Sequence, residues 1–211
     1  MFDAETLRFL AELKAQNTRD WFAANRARFE AHVAAPAQAF LTAFAAELTR
    51  QTGAPVSGKL YRLHRDIRFS RDKTPYNAHV HLGFAEPERP FGWLVGLEPG
   101  RLSIGYGTLA FPAPLLDRWR DAVAGPGGAA LAQILDALQA GGMRLDPPEL
   151  KRVPAPLDPA HPQGALLRRK SLALWQDTLP PEDAFGTDAP HRLADSLARV
   201  APLRGWSVAI L

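Results

Sequence analysis

Cysteine is absent from the 211 residues, and that absence excludes disulfide scaffolds, thiolate zinc sites, iron–sulfur clusters and cysteine nucleophiles. Long apolar runs are missing too. None approaches the roughly 18 residues that a membrane-crossing helix needs, and Met1-Phe2-Asp3-Ala4-Glu5 is acidic where a secretory leader would be basic. The charge surplus is small, 25 Lys and Arg against 22 Asp and Glu for a formal net charge of +3, which argues only weakly for a nucleic-acid partner. No GxGxxG, GxxxxGK[ST], HExxH, GxSxG or kinase motif occurs, so no nucleotide or hydride cofactor is expected. What remains, at 46% hydrophobic and 22% charged, is the composition of an ordinary globular chain, read as soluble, cytoplasmic and free of cofactors.

The periodicity changes twice along the chain. Residues 1–55 read as three helices: Leu7, Phe9, Leu10 and Leu13; then Trp21, Phe22, Phe29 and Val33 behind an Asn17/Asp20 cap; then Phe40, Leu41, Phe44 and Leu48, stopped at Gly53 and Pro55. From Lys59 to Leu109 the period drops to two. Tyr61, Leu63, Ile67 and Phe69 alternate with Arg62, His64, Asp66 and Arg68; Val80, Leu82 and Phe84 form a second run; Trp93, Val95 and Leu97 lead through Glu98-Pro99-Gly100 into Leu102, Ile104 and Tyr106. Short connections between these four strands predict an antiparallel meander. Helical spacing returns at Leu115, Trp119 and Val123 and at Leu131, Leu135 and Leu138. Prolines 147, 148, 154, 156, 159 and 162 mark an extended strap, and helices are expected around 166–175 and after Asp188. The reading is a single α+β domain over 1–211: helical 1–55, a sheet of about four strands in 56–110, and helices with a proline-rich strap in 111–211.

Chemistry concentrates in residues 65–76, RDIRFSRDKTPY, which leave a predicted strand for a turn. Arg65, Arg68 and Lys73 can hold a phosphate or carboxylate, with Ser70, Asp72 and Tyr76 beside them. Arg26, with Trp21, can wall the same pocket. Catalytic candidates are Asp66, Glu98 and Lys170: two carboxylates for proton transfer, and the lysine that helical spacing from Leu166, Leu167 and Leu174 turns inward. The competing reading makes the charged run an internal brace in a protein-interaction module. His79 and His81 share one strand face, as do His64 and Asp66. They can offer three imidazoles and a carboxylate to a metal, but are read as solvated residues, and no metal is assigned.

Six segments in order carry a resemblance: NTRDWFAANR from Asn17, RDIRFSRDKTPY, LEPG from Leu97, GYG from Gly105, ELKRVP from Glu149 and LLRRKSL from Leu166. Together they resemble domain-of-unknown-function family 2461 over nearly the whole chain. The resemblance implies a cytoplasmic protein and assigns no reaction. It marks Arg19, Asp20, Trp21, Asn25, Arg26, Arg65, Asp66, Arg68, Ser70, Asp72, Lys73, Tyr76, Glu98, Lys170 and Ser171 as the polar positions of interest. His64, His79 and His81 fall outside that pattern. The functional expectation is a site for a small anionic molecule, with neither nucleic acid nor membrane as partner.

Overall fold

The structure is a computed structural model and describes residues 1–211. Its first helix, α1 (Ala4–Ala15), opens on a capping box. Asp3 Oδ1 accepts from the Thr6 N–H at 3.0 Å, and Thr6 Oγ1 accepts from the Asp3 N–H at 3.3 Å. The next helix, α2 (Arg19–Ala24), is capped by Thr18, whose hydroxyl accepts from the Trp21 N–H, and not by Asn17. A short α3 (Arg26–Phe29) passes through a π-helical turn at 30–34 into α4 (Ala35–Thr52), which ends on Gly53 at φ 69°.

One antiparallel sheet has six strands in the order β1-β2-β3-β4-β6-β5. They are β1 (Ser57–Leu60), β2 (Val80–Ala85), β3 (Gly92–Glu98), β4 (Arg101–Thr108), β5 (Arg144–Leu145) and β6 (Leu172–Leu179). The remaining helices are α5 (Ala113–Ala124), α6 (Gly127–Ala140), α7 (Gly164–Leu167), α8 (Ala189–Leu197) and α9 (Ala201–Ile210). The α+β class read from the sequence is therefore the observed one, with six strands in place of about four. Three strands lie outside the expected ones: β1 precedes the 61–69 run, β5 lies between α6 and the proline-rich strap, and β6 overlaps the stretch expected to be helical. There Leu172, Ala173 and Leu174 are all buried and so carry no clean period of two, because covered strands lose the polar alternation that identifies half-exposed ones. Conversely, residues 61–69 alternate but join no ladder. Exposure does alternate from Arg62 to Arg68, yet the segment's only strand-like pairing is the His64–Tyr76 bridge.

The chain divides into two compact units. The first comprises Met1–Pro87, Leu94–Ile104 and Asp177–Ser196. Its core holds Phe9, Leu10, Leu13, Phe40, Phe44 and Leu48, all completely buried, with Phe44 packed on Phe84 of β2 at 4.8 Å between ring centres. Each such side chain contributes about 1.5–3 kcal/mol on leaving water. The second unit comprises Glu88–Trp93, Gly105–Gln176 and Leu197–Leu211. Its centre is Trp119, stacked on Phe111 at 4.8 Å and edge-on to Trp206 at 5.8 Å, with its indole N–H donating to the Leu166 carbonyl at 3.2 Å. No helix is long and apolar enough to cross a membrane.

Within the second unit β4 and β6 approach closely. Gly107 has φ 147°, and a Cβ built there would lie 1.9 Å from the Leu172 carbonyl oxygen. Backbone cannot yield as a flexible side chain would, so Gly107→Ala should destabilise by about 3 kcal/mol or more in urea unfolding. A loss below about 1 kcal/mol would mean that the strands can separate there at little cost.

Candidate functional site

Between β1 and β2 the chain makes a nineteen-residue excursion, 61–79, outside any strand. Its arms share one isolated bridge, with the Arg65 N–H donating to the Pro75 carbonyl at 2.9 Å and the Asn77 N–H to the Leu63 carbonyl at 2.7 Å, and side chains satisfy further backbone groups. Asp66 Oδ1 accepts from the Arg68 N–H at 3.2 Å, and Asp72 Oδ1 from the Thr74 N–H at 2.9 Å. Lys73 Nζ donates to the Ile67 carbonyl at 2.9 Å. Asn17, released from capping duty, docks the loop on the helices: its Nδ2 donates to the Tyr76 carbonyl at 2.9 Å and its Oδ1 accepts from the Tyr76 N–H at 3.1 Å.

Arg65 closes the loop. Its Nη1 alone donates to the Asp72 carboxylate, to the Thr74 hydroxyl and to the Thr74 carbonyl, leaving Nε and Nη2 with no protein acceptor. The Thr74 N–H, joined by the Arg65 guanidinium, holds the Asp72 carboxyl down at about 2. Asp66 pairs with Arg68 in the open, and that contact together with the Arg68 N–H lowers its pKa. At the loop tip Phe69 is 94% exposed.

The excursion forms one wall of a cleft of about 720 Å³, and α2, α3 and Glu30 form the other. Phe22, Phe29, Leu63, Ile67, Pro75 and Tyr76 make its apolar surface, and Arg19, Arg26 and Arg65 its charged one. Phe22 and Tyr76 stack at 4.3 Å and 27°, and His64 stands edge-on to Tyr76 at 5.0 Å. Arg19 has no protein partner, and Arg26 only a 3.9 Å approach to Glu30. Tyr76 is just 7% exposed, and no protein group bonds its hydroxyl.

Of the ligand-binding residues expected from the sequence, the cleft gathers Arg26, Arg65 and Tyr76. Arg68, Ser70, Asp72 and Lys73 lie outside its lining, and three of these four are engaged in holding the loop. Among the catalytic candidates, Asp66 is occupied by Arg68, and Glu98 accepts from Arg101 Nε at 2.6 Å across the β3–β4 turn. Lys170 requires a correction. It is exposed, and the buried cation of its run is Arg169, 6% exposed, which donates from Nη2 to the Asp146 carbonyl at 2.7 Å. The helical spacing that would turn Lys170 inward does not exist, because α7 stops at Leu167 and β6 starts at Leu172. Glu149 bonds the Lys170 N–H at 2.8 Å and the Ser171 hydroxyl. Burial opposes the ionised form of Glu149, yet those bonds keep its pKa below the usual carboxylate value.

Sequence reasoning on its own terms passed over Arg19, Phe22 and Phe29 as cleft residues. The signal was present: Arg19 and Arg26 are seven apart, as are Phe22 and Phe29, two helical turns in each case. The break at Asn25 hides it. His79 and His81 share a face as expected, and their rings stack at 3.9 Å. His64, Asp66 and His81 border a shallow depression of about 370 Å³, where no three His, Asp or Glu side chains converge at metal-binding range.

Fold and site together define a class: an α+β protein whose six-stranded sheet carries, on the loop between its first two strands, one wall of an arginine-lined aromatic cleft. A family model described as conserved hypothetical protein (DUF2461) matches residues 5–206, and the chain belongs to that family. No curated protein matches the chain.

Two predictions follow from the loop and the sheet. Arg65→Ala removes three bonds from a partly covered guanidinium and should cost about 1–2 kcal/mol in denaturant unfolding, whereas Lys73→Ala should stay within about 0.5 kcal/mol. Equal costs would show that Arg65 does not close the loop. His81 occupies an exposed position of β2, and partial loss of water around its ring, helped by neighbouring His79, pushes its imidazole down to about 4 from its ordinary 6.5. Between those values the unfolded chain binds more protons than the folded one, so stability falls as pH drops from 6.5 toward 4. His81→Asn should flatten that part of a melting temperature against pH curve, and an unchanged slope would place the loss elsewhere.

Proposed function

We propose that the cleft between α2, α3 and the 61–79 loop binds a small molecule through a phosphate or carboxylate group, held by Arg19, Arg26 and Arg65. The observation that carries this reading is the state of the three guanidiniums: one has no partner, one has a distant partner, and the third spends a single nitrogen on the loop. Structural arginines are normally consumed by the contacts that make them structural. A planar fork with free N–H groups beside an apolar wall suits a bidentate oxyanion. In this division of labour Asp72 and Lys73 brace the loop, and Asp66 restrains Arg68. The same reading places the protein in the cytoplasm, as the family resemblance implies, and assigns no metal to the site.

A second reading has one observation in its favour. Phe69 stands almost wholly in solvent on an internally braced loop, with Arg68 5.9 Å over its ring, and an exposed aromatic of that kind suits insertion into a partner protein. The two readings separate by experiment. A ligand at 100 times its dissociation constant stabilises the folded state by about 2.7 kcal/mol. Phosphate esters or polycarboxylates should therefore raise the melting temperature saturably where chloride at equal ionic strength does not. Arg19→Ala and Arg26→Ala, both on exposed side chains, should suppress the rise without lowering the unliganded melting temperature. A flat response across the panel would leave the interaction module as the better reading.

A further inference from the structure

We infer that the ligand of this cleft is an organic anion with one charged group, a phosphate or carboxylate, carried on a flat, apolar ring; the inference rests on the anion-binding reading above and names its substrate class. An inorganic anion would need only the arginines. The cleft is far larger than that, at about 720 Å³, within the range of roughly 300–1,000 Å³ typical of sites for organic ligands. Most of its lining is apolar, with the rings of Phe22, Phe29 and Tyr76 set beside Leu63, Ile67 and Pro75.

The arrangement of those rings is specific. Phe22 from α2 and Tyr76 from the far end of the loop stack on each other at 4.3 Å between ring centres, and Phe29 packs against Phe22 at 5.2 Å. His64 meets the same pair edge-on, at 6.3 Å from Phe22 and 5.0 Å from Tyr76. A further flat ring entering the cleft continues this cluster in the offset or edge-on geometries that aromatic groups prefer, whereas a sugar or a polyol would desolvate its hydroxyls against it. The polar groups come from both walls of the cleft. Arg65 offers Nε and Nη2, Arg19 and Arg26 offer theirs from the helices, and the Tyr76 hydroxyl, on a side chain more than nine-tenths buried, has no protein partner. That hydroxyl is not sealed from solvent, so it is free to donate to a ligand oxyanion in place of water. Glu30 also lines the cleft and sets a carboxylate against any second negative charge on the ligand body. Three cations for one anionic group, one acid, and a wall of rings together select a ring with a single charged substituent.

Isothermal titration of the full chain with phenyl phosphate, inorganic phosphate and benzyl alcohol tests this. Phenyl phosphate should bind about tenfold tighter than inorganic phosphate, the return from one stacked and desolvated ring, and benzyl alcohol should bind weakest. Equal affinity for the two phosphates would overturn the ring and leave the anion site standing. Absence of binding by both phosphates would overturn the anion reading itself, and with it this inference. Ala23 on α2 lines the cleft from an exposed position, so Ala23→Leu should fold normally and fill ring space without touching a cation. It should bring phenyl phosphate down to the affinity of inorganic phosphate and leave the latter within about twofold. Undiminished phenyl phosphate binding in that variant would show that the ring lies elsewhere and would overturn the inference.

Discussion

The three bonds that Arg65 Nη1 makes to Asp72 and Thr74 brace a loop whose two arms share a single isolated β-bridge. A nineteen-residue excursion from a sheet carries many N–H and C=O groups, and each needs a partner or water. Here backbone bonds around the His64–Tyr76 bridge satisfy a few, and side chains in the loop or on the neighbouring helices satisfy others: the Asp66 and Asp72 carboxylates, the Lys73 ammonium and the Asn17 amide. Arg65 ties residues 72–74 back to residue 65, which braces the cleft wall from within. Pre-ordering of that kind lowers the entropy a binding event must overcome.

The same physics sorts the charges. Within the loop, carboxylates meet cations where both remain wet, so Asp66–Arg68 adds restraint and little stability. Arg65 is different because its side chain is three-quarters covered and yet not fully used. In the second unit the buried cation is Arg169, whose pKa is lowered by loss of water and which is held by a backbone carbonyl and not by a lysine-type contact. A guanidinium suits that place better than an ammonium, since it is more weakly hydrated and presents its donors in a fixed plane.

Much of the architecture was legible before any coordinates. The Phe40, Leu41, Phe44 and Leu48 spacing, the stop at Gly53 and the Pro99-Gly100 turn mark α4 and the β3–β4 hairpin, because half-buried elements write their geometry into the alternation of polar and apolar residues. The density of charge at 65–76 likewise pointed to the loop that walls the cleft. Two elements escaped for opposite reasons. Strand β6 is buried along its first three residues and so shows no alternation, while 61–69 alternates without a neighbouring strand to pair with.

The sequence alone determined the α+β class, the family and the place of the polar motif, since those depend on local periodicity and on residues close together in the chain. Only the tertiary structure decided which polar side chains face one another. Ranking Arg65 above Lys73, replacing Lys170 by Arg169, and bringing Arg19 and Phe22 to Tyr76 all depend on contacts between segments tens of residues apart. An arginine's role follows from which acceptors reach it and how much water it keeps. Both are properties of packing, and no spacing along the chain encodes them.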